Sequence, residues 1–183
     1  DALSAIPEEN GWTIGTGANA FSIDSPGGHS GPGTGGFTTK LFWDYYDFTR
    51  DEDILKKHSY PAMLGMAKFL SKTLKPTEEG YLLADPSSSP EQYHNGTTYQ
   101  TKGCAFDQEM IWESFHDALK AADILKEESP FLRTIKEQIG KLDAIQIGES
   151  GQIKEYREEK SIVTSEIRAI AIFRIYAHSI RVR

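Results

Sequence analysis

Apolar positions are scattered and interrupted by glycine through the first part of the chain and fall into helical spacing only from Phe37 onward. Residues 1–36 carry nine glycines from Gly11 to Gly36 together with Pro7, Pro26 and Pro32, a pattern too broken for a long helix. Trp12-Thr13-Ile14 and Phe21-Ser22-Ile23 read as short extended pieces within it. An irregular stretch of this length is expected to line a site or to pack beneath another part of the protein. From Phe37 to Thr49, Phe37, Leu41, Phe42, Tyr45 and Phe48 recur at three and four residues, which predicts a helix with that stripe as its apolar face and with Trp43 and Asp44 off it. Thr49-Arg50-Asp51-Glu52 is a start signal for a short helix through Ile54-Leu55, and Tyr60-Pro61 opens a third helix with Met63, Met66, Ala67, Phe69 and Leu70 on its buried side. The longest helix is predicted over Phe106 to Lys126, with Phe106, Met110, Ile111, Phe115, Leu119, Ala122 and Leu125 as its stripe and Asp107, Glu109, Glu113 and Asp117 on the surface. Pro130 opens a further helix to Leu142, with Phe131, Leu132, Ile135, Ile139 and Leu142 inward. Helix following helix through short connections predicts an all-α fold: a bundle, toroid or solenoid.

One stretch departs from that rhythm. In Gly80 to Gln92, GYLLADPSSSPEQ, the run Tyr81-Leu82-Leu83 reads as a short buried strand that Asp85-Pro86 stops, because proline fixes its own φ and biases the preceding residue away from helix. The hydroxyls of Ser87, Ser88 and Ser89 are expected to bond to nearby backbone and stiffen a turn that ends at Pro90, so that Glu91 stands at the tip of a firm loop. A firm loop is one way to present a single acid to a cleft. Serine and proline before a glutamate also make an ordinary capping turn, and an acidic residue is most often a solvated surface charge. Further on, His94 to Tyr99 reads as a polar turn and contains the sequon Asn95-Gly96-Thr97. Gly148 to Tyr156 reads as a turn and a polar segment.

Composition narrows the partners. The 183 residues suffice for a sizeable core, and the formal charge of -7 argues against nucleic acid or an anionic membrane, since both require basic patches. No apolar run approaches the ~18 residues of a membrane span. With no initiator methionine at Asp1, the chain reads as the middle of something larger. Nine Phe, eight Tyr and three Trp supply flat apolar faces that fill cores and stack on sugar rings or bases, and the acidic balance favours sugars.

Other chemistries lack their residues. Gly31, Gly33 and Gly36 match GxGxxG, but helix rather than a strand–helix–strand unit follows, and no GK[ST] completes a P-loop. His29, His58, His94, His116 and His178 form no HExxH pair, and Cys104 is the single cysteine, so no metal and no cofactor is expected. Ser30 lacks the second glycine of a nucleophile elbow, and Cys104 defaults to a small buried hydrophobe. Carboxylate chemistry remains.

At this point the residues carry a resemblance. GYLLADPSSSPEQ resembles the (S/T)PSxSPEN loop of the α-L-fucosidases of glycoside hydrolase family 95. Residues 31–49, GPGTGGFTTKLFWDYYDFT, are similar to that family's glycine-rich turn and W-(D/E)-x-Y-x-F-T helix. Cys104-Ala105-Phe106-Asp107 is similar to its helix start, and Ile147 to Tyr156 resembles its IGxxGQLxEW. Four dissimilar motifs in order, across roughly residues 10 to 160, make the match specific. The resemblance implies that residues 1–160 are part of an (α/α)6 barrel, incomplete here. It implies an inverting hydrolysis of terminal L-fucose, typically α1,2-linked, on a fucosylated oligosaccharide or glycan, with an extracellular or periplasmic parent protein. Glu91 then corresponds to the general acid, and Trp43, Asp107 and Glu155 are candidates for lining the substrate pocket. Gln92 stands where the family has asparagine. The family's water-activating base lies outside the matched region, so the chain by itself is expected to be inactive, at most a sugar-binding helical scaffold. An α-L-galactosidase of the same family is the alternative substrate reading.

The tail, residues 161–183, departs from the family. Where the family continues with HRHxSHLxxLYPG, this chain reads SIVTSEIRAIAIFRIYAHSIRVR. Codons read from the third base of Ser161 can give YSDIGNPGHRHISHLCALYPG without a break, so the tail is expected to be an out-of-frame reading of the family's own sequence.

Overall fold

The computed structural model describes residues 11–14, 31–90, 92–94, 96–149 and 151–158. Helix α1 (Gly33–Thr49) leads into the single turn α2 (Glu52–Ile54), which runs through a π-helical turn, Leu55–Ser59, into α3 (Tyr60–Thr73). A hairpin of β1 (Leu74–Pro76) and β2 (Leu82–Ala84) follows, then a second of β3 (Tyr93–His94) and β4 (Thr97–Thr98), then α4 (Ala105–Leu125) and α5 (Pro130–Lys141). The described chain is mostly helical, as the spacing of its apolar residues predicts.

Local chemistry accounts for the boundaries. Asp51 accepts from the Ile54 amide at 3.0 Å and caps α2, and Ser129 accepts from Leu132 at 3.2 Å with Pro130 at the first helical position of α5. The helix expected to start afresh at Tyr60-Pro61 instead continues from the preceding one, because the π-helical turn absorbs the register change without breaking the backbone ladder. Strand β2 ends at Ala84, before the cis Asp85-Pro86 peptide, and pairs antiparallel with β1 in the register Leu74 to Ala84. The hairpins are additions that the helical rhythm does not announce.

The main core lies where α3, α4 and α5 meet under the first hairpin, with Met66, Leu70, Ile111, Phe115, Leu132 and Ile135 buried. Burying Phe115 alone is worth about 1.5–3 kcal/mol. A second cluster joins Trp43 and Tyr46 of α1 to Leu55, Met63 and Ala121.

Two helix faces depart from expectation. Most of the stripe of α1 is turned outward: Phe37, Leu41, Tyr45 and Phe48 are exposed, Leu41 to 67% and Phe48 to 90%, with only Phe42 of the stripe partly buried against the second cluster, while Gly33, Gly35, Gly36, Thr39, Trp43 and Tyr46 are buried. The glycines decide this, because only a face without Cβ atoms comes this close to α4. A Cβ on Gly36 would stand 3.0 Å from the Met110 carbonyl oxygen, and one on Gly33 would stand 2.7 Å from Asp107 Oδ1. On α4, Asp107 and Asp117 are buried rather than on the surface, the first by hydrogen bonds and the second beside Lys120 and His116. In α3, Phe69 is half-buried while Met63, Met66, Ala67 and Leu70 are fully inside.

Candidate functional site

The loop between β2 and β3 carries the three serines, and each side chain is held by a different part of the chain. Ser87 pairs its backbone with Thr101 in both directions, at 2.9 and 2.8 Å. Its hydroxyl donates to Asp107 Oδ2 at 2.6 Å and accepts from the Cys104 amide at 3.0 Å. Ser88 donates its amide to Asp107 Oδ2 at 3.2 Å and its hydroxyl to the Tyr99 carbonyl at 2.8 Å, and its carbonyl accepts from the Gly31 amide at 2.7 Å. Ser89 donates its hydroxyl to Glu155 Oε1 at 2.6 Å, and its carbonyl accepts from the Gln92 amide at 3.1 Å. The hydroxyls therefore bridge to distant segments instead of stiffening a local turn: Ser89 and Glu155 are 66 residues apart in sequence.

Asp107 is the hub. It sits in the first turn of α4, where the helix dipole favours a carboxylate, and is completely buried. Oδ2 accepts from Ser87 and Ser88, and Oδ1 accepts from the Gly33 amide at 2.7 Å, so one side chain ties the glycine-rich turn, the serine loop and α4 together. Burial outweighs these donors and raises its pKa to about 6. Gln108, a residue the sequence does not single out, secures the other end of the loop: its Oε1 accepts from the Ala84 amide at 2.9 Å and its Nε2 donates to the Leu82 carbonyl at 3.1 Å. Only its place in the first turn of α4 could have signalled it.

Glu155 approaches from the far side. Its carbonyl accepts from the Ala105 amide at 3.0 Å, and the next residue, Tyr156, packs edge-on against Tyr99 at 4.6 Å. Tyr99 and Thr101 both donate to Glu158 at 2.8 Å. The crevice beside Glu155, lined by Gly103, Gln108, Asp143, Lys154 and Arg157 among others, has about 10 Å³, room for a water but not for a sugar ring. A larger groove of about 550 Å³ lies elsewhere, between Arg50–Lys56 and the end of α4, and contains none of the predicted site residues.

The predicted site residues therefore divide. Asp107 and Glu155 meet the same loop, whereas Trp43 lies in the second core cluster, its ring 5.6 Å from that of Tyr46 with Lys120 Nζ 4.2 Å from its centroid. Glu91 lies outside the described residues, as do Asn95 of the sequon, Phe21-Ser22-Ile23, and the tail with its boundary at 160–161. Cys104 is buried, as expected, and burial pushes its thiol pKa up. Glu109, expected on the surface, is half-buried. Desolvation and the neighbouring Glu113 raise it to about 7, and the helical period turns it away from the Asp107 side of α4.

The described residues make a mostly helical chain whose serine loop, which precedes a glutamate in the sequence, is anchored by two carboxylates. The chain belongs to the glycosyl hydrolase family 95 catalytic domain, whose family model matches residues 2–176. It is 33% identical over 132 residues to a probable alpha-fucosidase A of Aspergillus niger, covering 69% of this chain and 16% of that protein. It is also 30% identical over 122 residues to alpha-L-fucosidase 2 of Arabidopsis thaliana, covering 64% and 14% respectively. The chain thus spans about a sixth of these relatives' length.

Proposed function

We propose that this chain is a segment of an inverting α-L-fucosidase that releases terminal α1,2-linked L-fucose from glycans, with Glu91 as the general acid. The observation that carries the reading is the anchoring of Ser87, Ser88 and Ser89 by three separate acceptors immediately before Glu91. Inversion needs an acid that protonates the leaving oxygen and a base about 6.5–9.5 Å away that activates water. A rigid approach to Glu91 serves the first task. Family membership and the relatives' names support fucose as the sugar, with L-galactose as its nearest competitor.

In this reading the helices are part of an (α/α)6 barrel, and the base comes from sequence beyond the matched region. On this reading residues 161–183 are an out-of-frame version of the continuing domain, although the family match runs on to residue 176; sequencing the locus tests this directly, and an intact frame there overturns it. A second reading, an inactive helical scaffold with at most sugar binding, is favoured by the small crevice at Glu155, which has no room for a sugar ring.

The deciding experiment measures fucose release from 2'-fucosyllactose by the 183-residue chain and by a version with the frame restored and extended to the family's full catalytic domain, each with a Glu91→Gln control. Activity in the extended protein alone, abolished by Glu91→Gln, is expected. An extended protein that leaves fucosides untouched but cleaves α-L-galactosides overturns the substrate assignment.

A further inference from the structure

We propose that Asp107 and Glu155 are positioning residues that splint the serine loop from two sides, rather than residues that touch the sugar; this rests on the reading of Glu91 as the acid. Both oxygens of Asp107 are consumed by protein donors: Oδ1 by the Gly33 amide, Oδ2 by the Ser87 hydroxyl and the Ser88 amide. The side chain is fully buried, so no edge of it reaches a substrate hydroxyl. Glu155 gives Oε1 to Ser89 at 2.6 Å, and a neutral donor to a charged acceptor at that length is a strong bond.

The geometry explains why three consecutive serines are useful here. A loop residue normally satisfies its hydroxyl locally, and local bonds leave the whole loop free to swing. Here successive hydroxyls reach the hub on α4, the Tyr99 carbonyl and the segment containing Glu155, so the chain is fixed at three successive points. The Gln92 amide then closes back on the Ser89 carbonyl, so the residues that precede and follow Pro90-Glu91 in the sequence are joined to each other and, through Ser89, to Glu155. Misplacement of a reacting group by about 1 Å costs on the order of a hundredfold in rate, so a splint of this kind acts on turnover more than on binding.

The test has two readouts. In the extended catalytic domain, Ser89→Ala, Glu155→Gln and Asp107→Asn are expected to lower kcat by about tenfold to a hundredfold with KM changed less than about threefold. They are also expected to move the alkaline limb of kcat/KM to lower pH, because a loosened loop lets water reach the acid. Ser89→Thr, which keeps the hydroxyl, is expected to restore both. In the 183-residue chain, amide hydrogen exchange is expected to quicken at Ser88 in Asp107→Asn and at Gln92 in Ser89→Ala and Glu155→Gln. Wild-type kcat and an unmoved pH limb in the Ser89 and Glu155 variants overturn the proposal, as does unchanged exchange at both amides. An extended wild-type protein without fucosidase activity instead sinks the functional reading, and the exchange data then decide the splint by themselves.

Discussion

The start of α4 and the outer face of α1 invert the usual distribution of polar and apolar groups, in opposite directions. At α4 a charged carboxylate is completely buried, while on α1 an aromatic and aliphatic stripe stands in solvent. The difference lies in what each face can pair with. Asp107 enters the interior because three donors meet it there, and a buried charge is tolerated only when it is paired and hydrogen-bonded. The α1 stripe stays outside because the opposite face packs closer to its neighbours than any face with large side chains could, with Gly33 and Gly36 against α4 and Gly35 against Met66 of α3. Burial follows from complementarity with a neighbour, and hydrophobicity is only one way to be complementary.

The sharpest way to break the comparison is to empty the hub. Asp107→Ala leaves the Gly33 amide, the Ser88 amide and the Ser87 hydroxyl without their acceptor, and a loss of about 3–5 kcal/mol is expected in denaturant unfolding. A loss below about 1 kcal/mol would mean that water satisfies those donors and that the carboxylate is not the tie. The same residue predicts a pH dependence. Its pKa is raised to about 6 from the ordinary 3.8, so the folded state holds the proton more tightly than the unfolded one. The associated stability is full below about pH 4 and is lost as pH rises through about 6, on the order of 2–3 kcal/mol. Unfolding curves across pH 4–7 should show this slope in the wild type and a shallower one in Asp107→Asn. Glu109→Gln should remove a further part of the slope between pH 4.5 and about 7, because Glu109 is also raised.

Gly36→Ala probes the other face of α1. The new methyl would meet the Met110 backbone at 3.0 Å, and the strain of about 1–3 kcal/mol is expected to exceed the ~1 kcal/mol that alanine gains over glycine in a helix. A net gain in melting temperature would show that α1 can back away from α4 at little cost. The smallest effect is expected on the stripe itself. Phe48→Ser and Leu41→Gln should change monomer stability by less than about 0.5 kcal/mol, since both side chains are largely solvated already. Light scattering should at the same time report less self-association, because the exposed apolar patch shrinks. A large stability loss would mean that the stripe is covered in solution.

Much of this architecture is legible along the chain, and the legible parts share a cause. The helices α3, α4 and α5 follow from apolar spacing, with Pro130 and the Ser129 cap marking the start of α5, all of which act within a few residues. Strand β2 and its stop before Asp85-Pro86 are local in the same sense. The face of α1 is not, because its aromatic stripe has the correct period and the wrong side. The partners of the serines are not local either: proline and serine signal a firm loop, but nothing near Ser89 announces Glu155, and Asp107 at a helix start reads as an ordinary surface acid favoured by the dipole.

What the sequence alone determined, then, is the mostly helical class, the position of the serine loop ahead of Glu91, and the four motifs that tie the chain to its family, because each depends on residues that are neighbours in the chain. Only the tertiary structure decided which face of α1 is buried, that Asp107 is a buried hub, and that Asp107 and Glu155 grip one loop from two sides. Those outcomes depend on how closely two backbones approach and on which donors lie opposite which acceptors across 20 to 74 residues of intervening chain. Periodicity says that a residue is apolar or charged at a given angle around a helix; it contains no term for what stands on the other side.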